Sequence, residues 1–318
     1  MSVAQPVPGA PDDLRTASVC HHLTGGEGAR VFDPLEVARA TERVVCRGNQ
    51  RKYSRFGFTR DYHYGVATGY VVGCNLRCLF CWAAPTRDNV GGEGRWCEPA
   101  EAAEELERIA RQRRTGFVRL SEGEPTIGRE HLLGVLEEVE RRASIRRFVL
   151  ETNGTLLGAE ESYVAALARF PKLWVRLALK AGTPEAWTHK TGASPESFAL
   201  PFEALRLLRR HGLQSRLSVA AMSRDPRFMG QHERVLLLAE LARVDPQMVL
   251  DLNEEMVVTH PATMRRLAAA GYPLKRYIRV PGLWRWVQVA YRPAGLLGRK
   301  HISLRHSLSA VKNLFFGT

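Results

Sequence analysis

The sequence predicts an α/β fold built on a parallel sheet, and three observations carry that prediction. Short apolar runs rich in β-formers recur along the chain, segments of helical period with charged faces lie between them, and no self-similar repeat of roughly 20 to 50 residues offers another explanation. Residues 1 to about 30 are rich in Pro, Gly and small polar residues and read as a flexible arm. Asp33-Pro34 then opens a short helical pattern over 35–45, with Asp33 as N-cap and Pro34 at the first helical position. The β-rich runs fall at 65–73 (GVATGYVVG), 117–121, 147–152, 173–180, 214–222 and 247–253. The helical segments fall at 98–113, 129–142, 160–170, 202–211 and 232–243. Six strands with crossover helices give a parallel sheet with right-handed crossovers, either open and doubly wound or curled into a full or partial barrel. Pattern alone does not choose among these, but in all of them functional groups gather where strands end.

Composition points to an ordinary folded body. Apolar residues make up 45% and charged residues 25% of the 318, which excludes whole-chain disorder and a fibrous repeat. No stretch approaches the roughly 18 uninterrupted apolar residues of a membrane span. The start, MSVAQPVPGAPDD, lacks a basic segment followed by an apolar run, so a cytoplasmic protein is expected. Three of the six cysteines, Cys74, Cys78 and Cys81, are too close together to staple distant parts of a fold and fit reduced, metal-binding thiols. Cys20, Cys46 and Cys97 are scattered and read as ordinary thiols, and His21-His22 as solvated.

The formal net charge of +13 is unevenly placed. From Met256 onward there are eleven Lys or Arg and no Asp or Glu, which leaves 35 basic against 33 acidic residues before it. A basic segment appended to a neutral body meets something anionic, or serves as a solubilising arm.

The chemistry-bearing motif follows the first strand: Gly73-Cys74-Asn75-Leu76-Arg77-Cys78-Leu79-Phe80-Cys81. Thiolates at C-x3-C-x2-C can wrap one face of an iron–sulfur cube, and with no fourth ligand nearby one iron stands open for a cofactor or substrate. A coincidental group of small buried residues is one alternative. A zinc knuckle is the other, short of a fourth ligand and with His63 the nearest histidine in sequence.

With Phe80 in the aromatic place before the last cysteine, this motif resembles the radical S-adenosylmethionine (radical SAM) superfamily, over residues 51–253. The resemblance implies a partial (β/α)6 barrel holding a [4Fe–4S] cluster on Cys74, Cys78 and Cys81. It implies S-adenosylmethionine chelating the open iron, and its reductive cleavage to a 5′-deoxyadenosyl radical that takes hydrogen from a substrate. Other strand ends are similar to the family's. Ser121-Glu122-Gly123-Glu124-Pro125-Thr126 stands where members have Gly-Gly-Glu-Pro, whose backbone holds the methionine amino group. Glu122 replaces the first glycine, while Gly123, Glu124 and Pro125 are kept. Glu151-Thr152-Asn153-Gly154 resembles the ETNG segment of many members, making Thr152 and Asn153 candidates for the ribose or the methionine carboxylate. On the fourth strand Arg176, Ala178 and Lys180 share one face. A basic residue inside a barrel is costly unless paired, so Arg176 or Lys180 is expected near a carboxylate, and both count, with Phe80, as cofactor-binding candidates. Asp251 and Asn253 close the sixth strand as further candidates, and no catalytic residue is assigned.

Elsewhere Arg51-Lys52-Tyr53-Ser54-Arg55-Phe56 reads as a sheet edge, with a phosphate contact as the alternative, and Tyr62, His63 and Tyr64 as pocket lining. In the basic segment Tyr272, Tyr277, Trp284, Trp286, Tyr291, Phe315 and Phe316 interleave with cations, the stretch 284–291 alternates like a strand, and 304–315 has a helical apolar face. A lid or recognition cap is the first reading, an RNA contact the second and a membrane contact the third. The chain is thus expected to comprise an N-terminal arm and short helix (1–50), a partial barrel (51–255) and a basic, aromatic extension (256–318). Its expected partners are an anionic substrate, of nucleotide type or RNA, and a reductant such as ferredoxin or flavodoxin. Two alternatives stay open: an activase that installs a glycyl radical on a partner protein, and a non-catalytic iron–sulfur or zinc protein that binds nucleic acid.

Overall fold

The computed structural model describes residues 31–60, 65–258 and 260–272. Its strands are β1 (Cys46–Arg47), β2 (Gln50–Thr59), β3 (Val66–Val71), β4 (Arg95–Cys97), β5 (Phe117–Glu122), β6 (Arg147–Thr152), β7 (Leu173–Leu179), β8 (Leu217–Ala221) and β9 (Asn253–Glu254). They form one sheet in the order β1-β2-β3-β5-β6-β7-β8-β9, with β4 paired to β2. From β3 to β9 neighbours run parallel, while β1, β2 and β4 make an antiparallel edge. The six parallel strands form an unclosed sheet, the partial barrel that the family resemblance implied.

The helices are α1 (Pro34–Val45), α2 (Ala84–Asp88), α3 (Pro99–Gln112), α4 (Arg129–Glu140), α5 (Thr155–Ala159), α6 (Glu161–Ala168), α7 (Pro184–Thr191), α8 (Ala199–Arg210), α9 (Gln231–Val244), α10 (Pro246–Asp251) and α11 (Pro261–Ala269). Local chemistry starts several of them. Asp33 caps α1 by accepting from Leu35 N at 2.8 Å, and Glu98 and Glu101 form a reciprocal capping box at α3. Leu106, Leu136, Leu167, Leu205 and Leu241 then lay the apolar stripes of α3, α4, α6, α8 and α9 in one core with Leu120, Leu150 and Leu177 of the sheet. Each such side chain contributes about 1.5–3 kcal/mol on burial. Between these apolar positions the strands carry Arg119, Glu151 and Arg176 on the alternate face. A second apolar cluster, Leu76, Leu79, Phe80, Trp187, Phe228 and Leu267, lies under the cysteine loop.

Two expectations are corrected. The run 247–253 is not one strand: residues 246–251 form α10, and only Asn253 and Glu254 pair with β8. A short apolar run does not distinguish strand from helix. The deciding signal is Asp245-Pro246, where the Asp245 carboxylate accepts from Gln247 N at 2.9 Å, the same device that starts α1. Asp251 therefore lies in a helix and accepts from Gln247 Nε2 at 3.1 Å. The run from Arg51 to Phe56 lies within β2, and its first two cations are buried. Arg51, 1% exposed, donates to Ile127 O and Val45 O, and Lys52 donates to Val90 O, so neither is placed to meet a phosphate. Strands β1 and β4 and helices α2, α5, α7 and α11 had no sequence counterpart. The expectations for Cys20, His21, His22, Tyr62, His63, Tyr64 and the stretches 284–291 and 304–315 lie outside the described residues. Among the described residues no helix is long and apolar enough to cross a membrane.

Candidate functional site

Three loops meet beyond the C-terminal ends of β3, β5 and β6. Gly73, with φ +86°, turns the chain out of β3 into the cysteine loop. The end of β5 is bonded to it by backbone alone: Gly123 N donates to Val71 O at 3.1 Å and Glu124 N to Gly73 O at 2.8 Å. A Cβ on Gly123 would lie 2.2 Å from Gly73 O and 2.8 Å from Val71 O, so only glycine permits this approach. Glu122, in the place of the family's first glycine, adopts φ +84°, the left-handed conformation that glycine favours. Its carboxylate accepts from Ser54 Oγ at 2.6 Å and Arg55 Nη1 at 3.0 Å with the side chain 2% exposed, and the Arg55 guanidinium lies 3.9 Å over the Tyr70 ring. These contacts offset a backbone cost of about 1–3 kcal/mol.

Glu124 is the hub of the three loops. Its Oε1 accepts from Thr126 N at 3.1 Å, Thr126 Oγ1 at 2.6 Å and Thr152 Oγ1 at 2.7 Å, and its Oε2 accepts from Asn153 N at 2.8 Å. Asn153 Nδ2 donates to Asn75 Oδ1 at 2.8 Å, Asn75 Nδ2 donates to Thr155 Oγ1 at 2.8 Å, and Thr155 Oγ1 donates to Asn153 Oδ1 at 2.7 Å. Three buried side chains thereby close a ring between the cysteine loop and the start of α5, and Asn75 Nδ2 also reaches Pro34 O of α1 at 3.1 Å. Of the sequence candidates, Gly123, Glu124, Pro125, Thr152 and Asn153 are brought together here, with the Thr152 hydroxyl and the Glu124 carboxylate bonded to each other. Asn75, Ser54 and Arg55 stood in the sequence only as members of longer runs, and Thr155 was not singled out.

The cysteines lie on the loop between β3 and α2. Two donors already face one sulfur: Leu76 N lies 3.5 Å and Asn153 Nδ2 3.9 Å from Cys74 Sγ, as hydrogen bonds to cluster thiolates require. Burial, then the charge of Glu124, pushes the Cys74 thiol up to about 12. Burial pushes Cys78 up to about 11 against the lowering pull of Lys180. Such thiols are inert by themselves, and a metal's charge is what turns them into thiolates. Among the described residues no three His, Cys, Asp or Glu side chains converge on one ion. An iron–sulfur cube takes each thiolate on its own iron, whereas a zinc ion takes all its sulfurs about 2.3 Å from one point.

Phe80 is 5% exposed and packs edge-on to Phe228 at 4.9 Å, with Lys180 Nζ 6.0 Å from its centroid. Arg176 meets the carboxylates expected of it, pairing with Glu255 and lying 3.7 Å from Glu151 Oε1. Asn253, with its amide oxygen turned to the guanidinium, accepts from Arg176 at 3.0 Å. Arg119, missed in the sequence, shares Glu151 at 3.0 Å and donates to Thr68 Oγ1 and Thr59 Oγ1. Arg119, Glu151 and Arg176 of the strand faces thus form one network with Glu255, just past β9.

Residues 70–222 match the family model described as Radical SAM superfamily. The chain carries a radical SAM domain. Radical SAM enzymes use a [4Fe–4S] cluster and S-adenosylmethionine, and these are the cofactors of this domain. Two solved structures are similar to this chain. Streptococcus suis SuiB bound to precursor peptide SuiA is 19% identical over 68% of this chain and 43% of that one, with a TM-score of 0.44. Streptococcus suis SuiB bound to S-adenosylmethionine is 19% identical over 65% and 52%, with a TM-score of 0.37. The chain spans about half the length of these solved chains. No curated protein matches it.

Proposed function

We propose that the protein holds its [4Fe–4S] cluster on Cys74, Cys78 and Cys81, cleaves S-adenosylmethionine reductively, and takes a hydrogen atom from an anionic substrate. The observation that carries this reading is the Glu124–Asn153–Asn75 network, which locks the loops after β5 and β6 to the cysteine loop after β3. Cluster and S-adenosylmethionine together supply a 5′-deoxyadenosyl radical. The chain's own residues position and shield. The backbone of 123–125, fixed by its bonds to Val71 and Gly73, presents polar groups to the methionine amino group. Thr152 and Asn153 hold that segment in register through Glu124 and Asn75. Phe80 and Phe228 exclude water beside the cysteines, and Lys180 and Arg176 supply positive charge at the end and on the face of β7.

The anionic substrate follows from the eleven cations and no acids after residue 255, interleaved with aromatics suited to base stacking. A nucleotide-type metabolite or RNA has that chemistry, and a ferredoxin or flavodoxin is the class of reductant the cluster needs. The test is anaerobic reconstitution with iron and sulfide, followed by electron paramagnetic resonance with and without S-adenosylmethionine and an assay for 5′-deoxyadenosine. A reduced [4Fe–4S] signal that changes with S-adenosylmethionine, 5′-deoxyadenosine formation, and loss of both in Cys78→Ala are expected. A full cluster blind to S-adenosylmethionine overturns the reading. Affinity for RNA that falls steeply with salt supports the substrate class, and salt-insensitive or absent binding of both RNA and nucleotides removes it.

A further inference from the structure

A loop that wraps thiolates around an inorganic core has few partners for its own carbonyls, and those carbonyls still need donors. Here the carbonyl of each of the three cysteines takes an arginine. Arg77 Nη1 donates to Cys74 O at 2.7 Å, Arg87 Nη1 donates to Cys78 O at 2.9 Å, and Arg266 Nη2 donates to Cys81 O. Arg266 Nε also donates to Leu79 O at 3.2 Å. Arg77 and Arg87 belong to the loop and to α2, and both lie against Asp88. Arg266 comes from α11, 185 residues beyond Cys81, and no carboxylate of the described residues pairs with it.

The rest of α11 is seated to bring that guanidinium there. Thr263 and Leu267 share its inner face with Arg266, and both are fully buried. Thr263 Oγ1 donates to Cys81 O at 3.4 Å, and Leu267 joins Leu76, Leu79 and Phe80 in the apolar cluster under the loop. Just past the helix, Tyr272 packs against His189 at 5.5 Å and Phe228 at 5.3 Å. The basic segment after residue 255 therefore begins with a helix fastened to the cysteine loop.

We propose that α11 is part of the cluster site and that Arg266 is a positioning residue, holding Leu79 and Cys81 in the loop and easing reduction of the bound cluster. This rests on the cluster reading above. A positive charge at the Cys81 carbonyl stabilises the more negative, reduced state of a thiolate-ligated cluster, and a doubly anchored carbonyl keeps the third ligand in place.

The test compares reconstituted wild-type protein with Arg266→Ala, Arg266→Lys and Arg265→Ala. Arg265 is exposed on the same helix and controls for charge without contact. The readouts are the rate of iron loss to an excess of chelator and the midpoint potential of the cluster from a spectroscopic titration. Arg266→Ala is expected to lose iron several-fold faster and to show a more negative potential. Arg266→Lys, which keeps charge without the fork, should recover part of the potential but not the iron retention. Arg265→Ala should match the wild type. An Arg266→Ala protein equal to the wild type in both readouts overturns the proposal, as does an Arg265→Ala protein shifted equally far. If Arg266→Ala does not fold, Arg266→Lys with wild-type iron retention overturns it. Wild-type protein that takes up no [4Fe–4S] cluster overturns the parent reading, and this one with it.

Discussion

Asn153 Nδ2 donates to Asn75 Oδ1 across 2.8 Å, joining the end of β6 to a loop 78 residues earlier in the chain. Both amides are buried, and each has a second partner in Thr155. Truncating one amide strands its partners. Asn153→Ala is expected to destabilise the protein by about 3 kcal/mol, since each buried polar group left unpaired costs about 1–3 kcal/mol. It should also speed iron loss from reconstituted protein. Urea unfolding of the apo-protein measures the first effect, and a change under about 0.5 kcal/mol would show that the ring does not carry load.

The approach of β5 to the cysteine loop leaves no room for a methyl group. Gly123→Ala places a Cβ 2.2 Å from Gly73 O, and backbone on both sides cannot yield as a flexible side chain would. The expected outcome is a folded protein that still takes up iron but whose cluster spectrum no longer responds to S-adenosylmethionine. An unchanged response would place the amino-group contact elsewhere.

Glu122 separates strain from interaction. Glu122→Ala keeps the φ of +84° unfavourable and loses the contacts to Ser54 and Arg55. Glu122→Gly loses the same contacts but relieves the backbone. The glycine variant is therefore expected to be more stable than the alanine variant by about 1 kcal/mol. Equal stability of the two in denaturant unfolding would mean that the backbone at this position is not strained.

His131 gives the fold a pH dependence. Its Nδ1 lies 2.7 Å from Asn49 O and therefore carries the proton, while its Nε2 accepts from the Tyr53 hydroxyl at 2.8 Å. Burial lowers its pKa from 6.5 to about 4, the Asn49 carbonyl opposes that shift, and the Arg51 charge adds to it. The folded state thus keeps His131 neutral where the unfolded chain protonates it. Stability attributable to this residue is present above pH 6.5, falls as pH drops toward about 4 and levels off below, by roughly 3 kcal/mol in all. Thermal melts of wild type and His131→Gln across that range check the sign. Identical slopes would assign the acid sensitivity to other groups.

Much of this protein was legible without coordinates because its signals are local. The β-rich run at 65–73 and the capping pair Asp33-Pro34 depend on neighbours in sequence, so they specify β3 and the start of α1 by themselves. The same reasoning failed at 247–253, where an apolar run served a helix, and it did not reveal that Arg51, on the antiparallel edge, is buried against Ile127 O. What only the tertiary structure decided is which distant groups meet. Glu122 can stand in a glycine's place because Ser54 and Arg55 come from β2 to hold it. Asn75 and Asn153 close a ring because the loops after β3 and β6 meet across the end of β5, which lies between them in the parallel sheet. Arg266 reaches the carbonyl of Cys81 because α11 folds back over the cysteine loop. Local spacing specifies elements and their caps, whereas the meeting of distant groups depends on burial and on contacts between segments that no local pattern records.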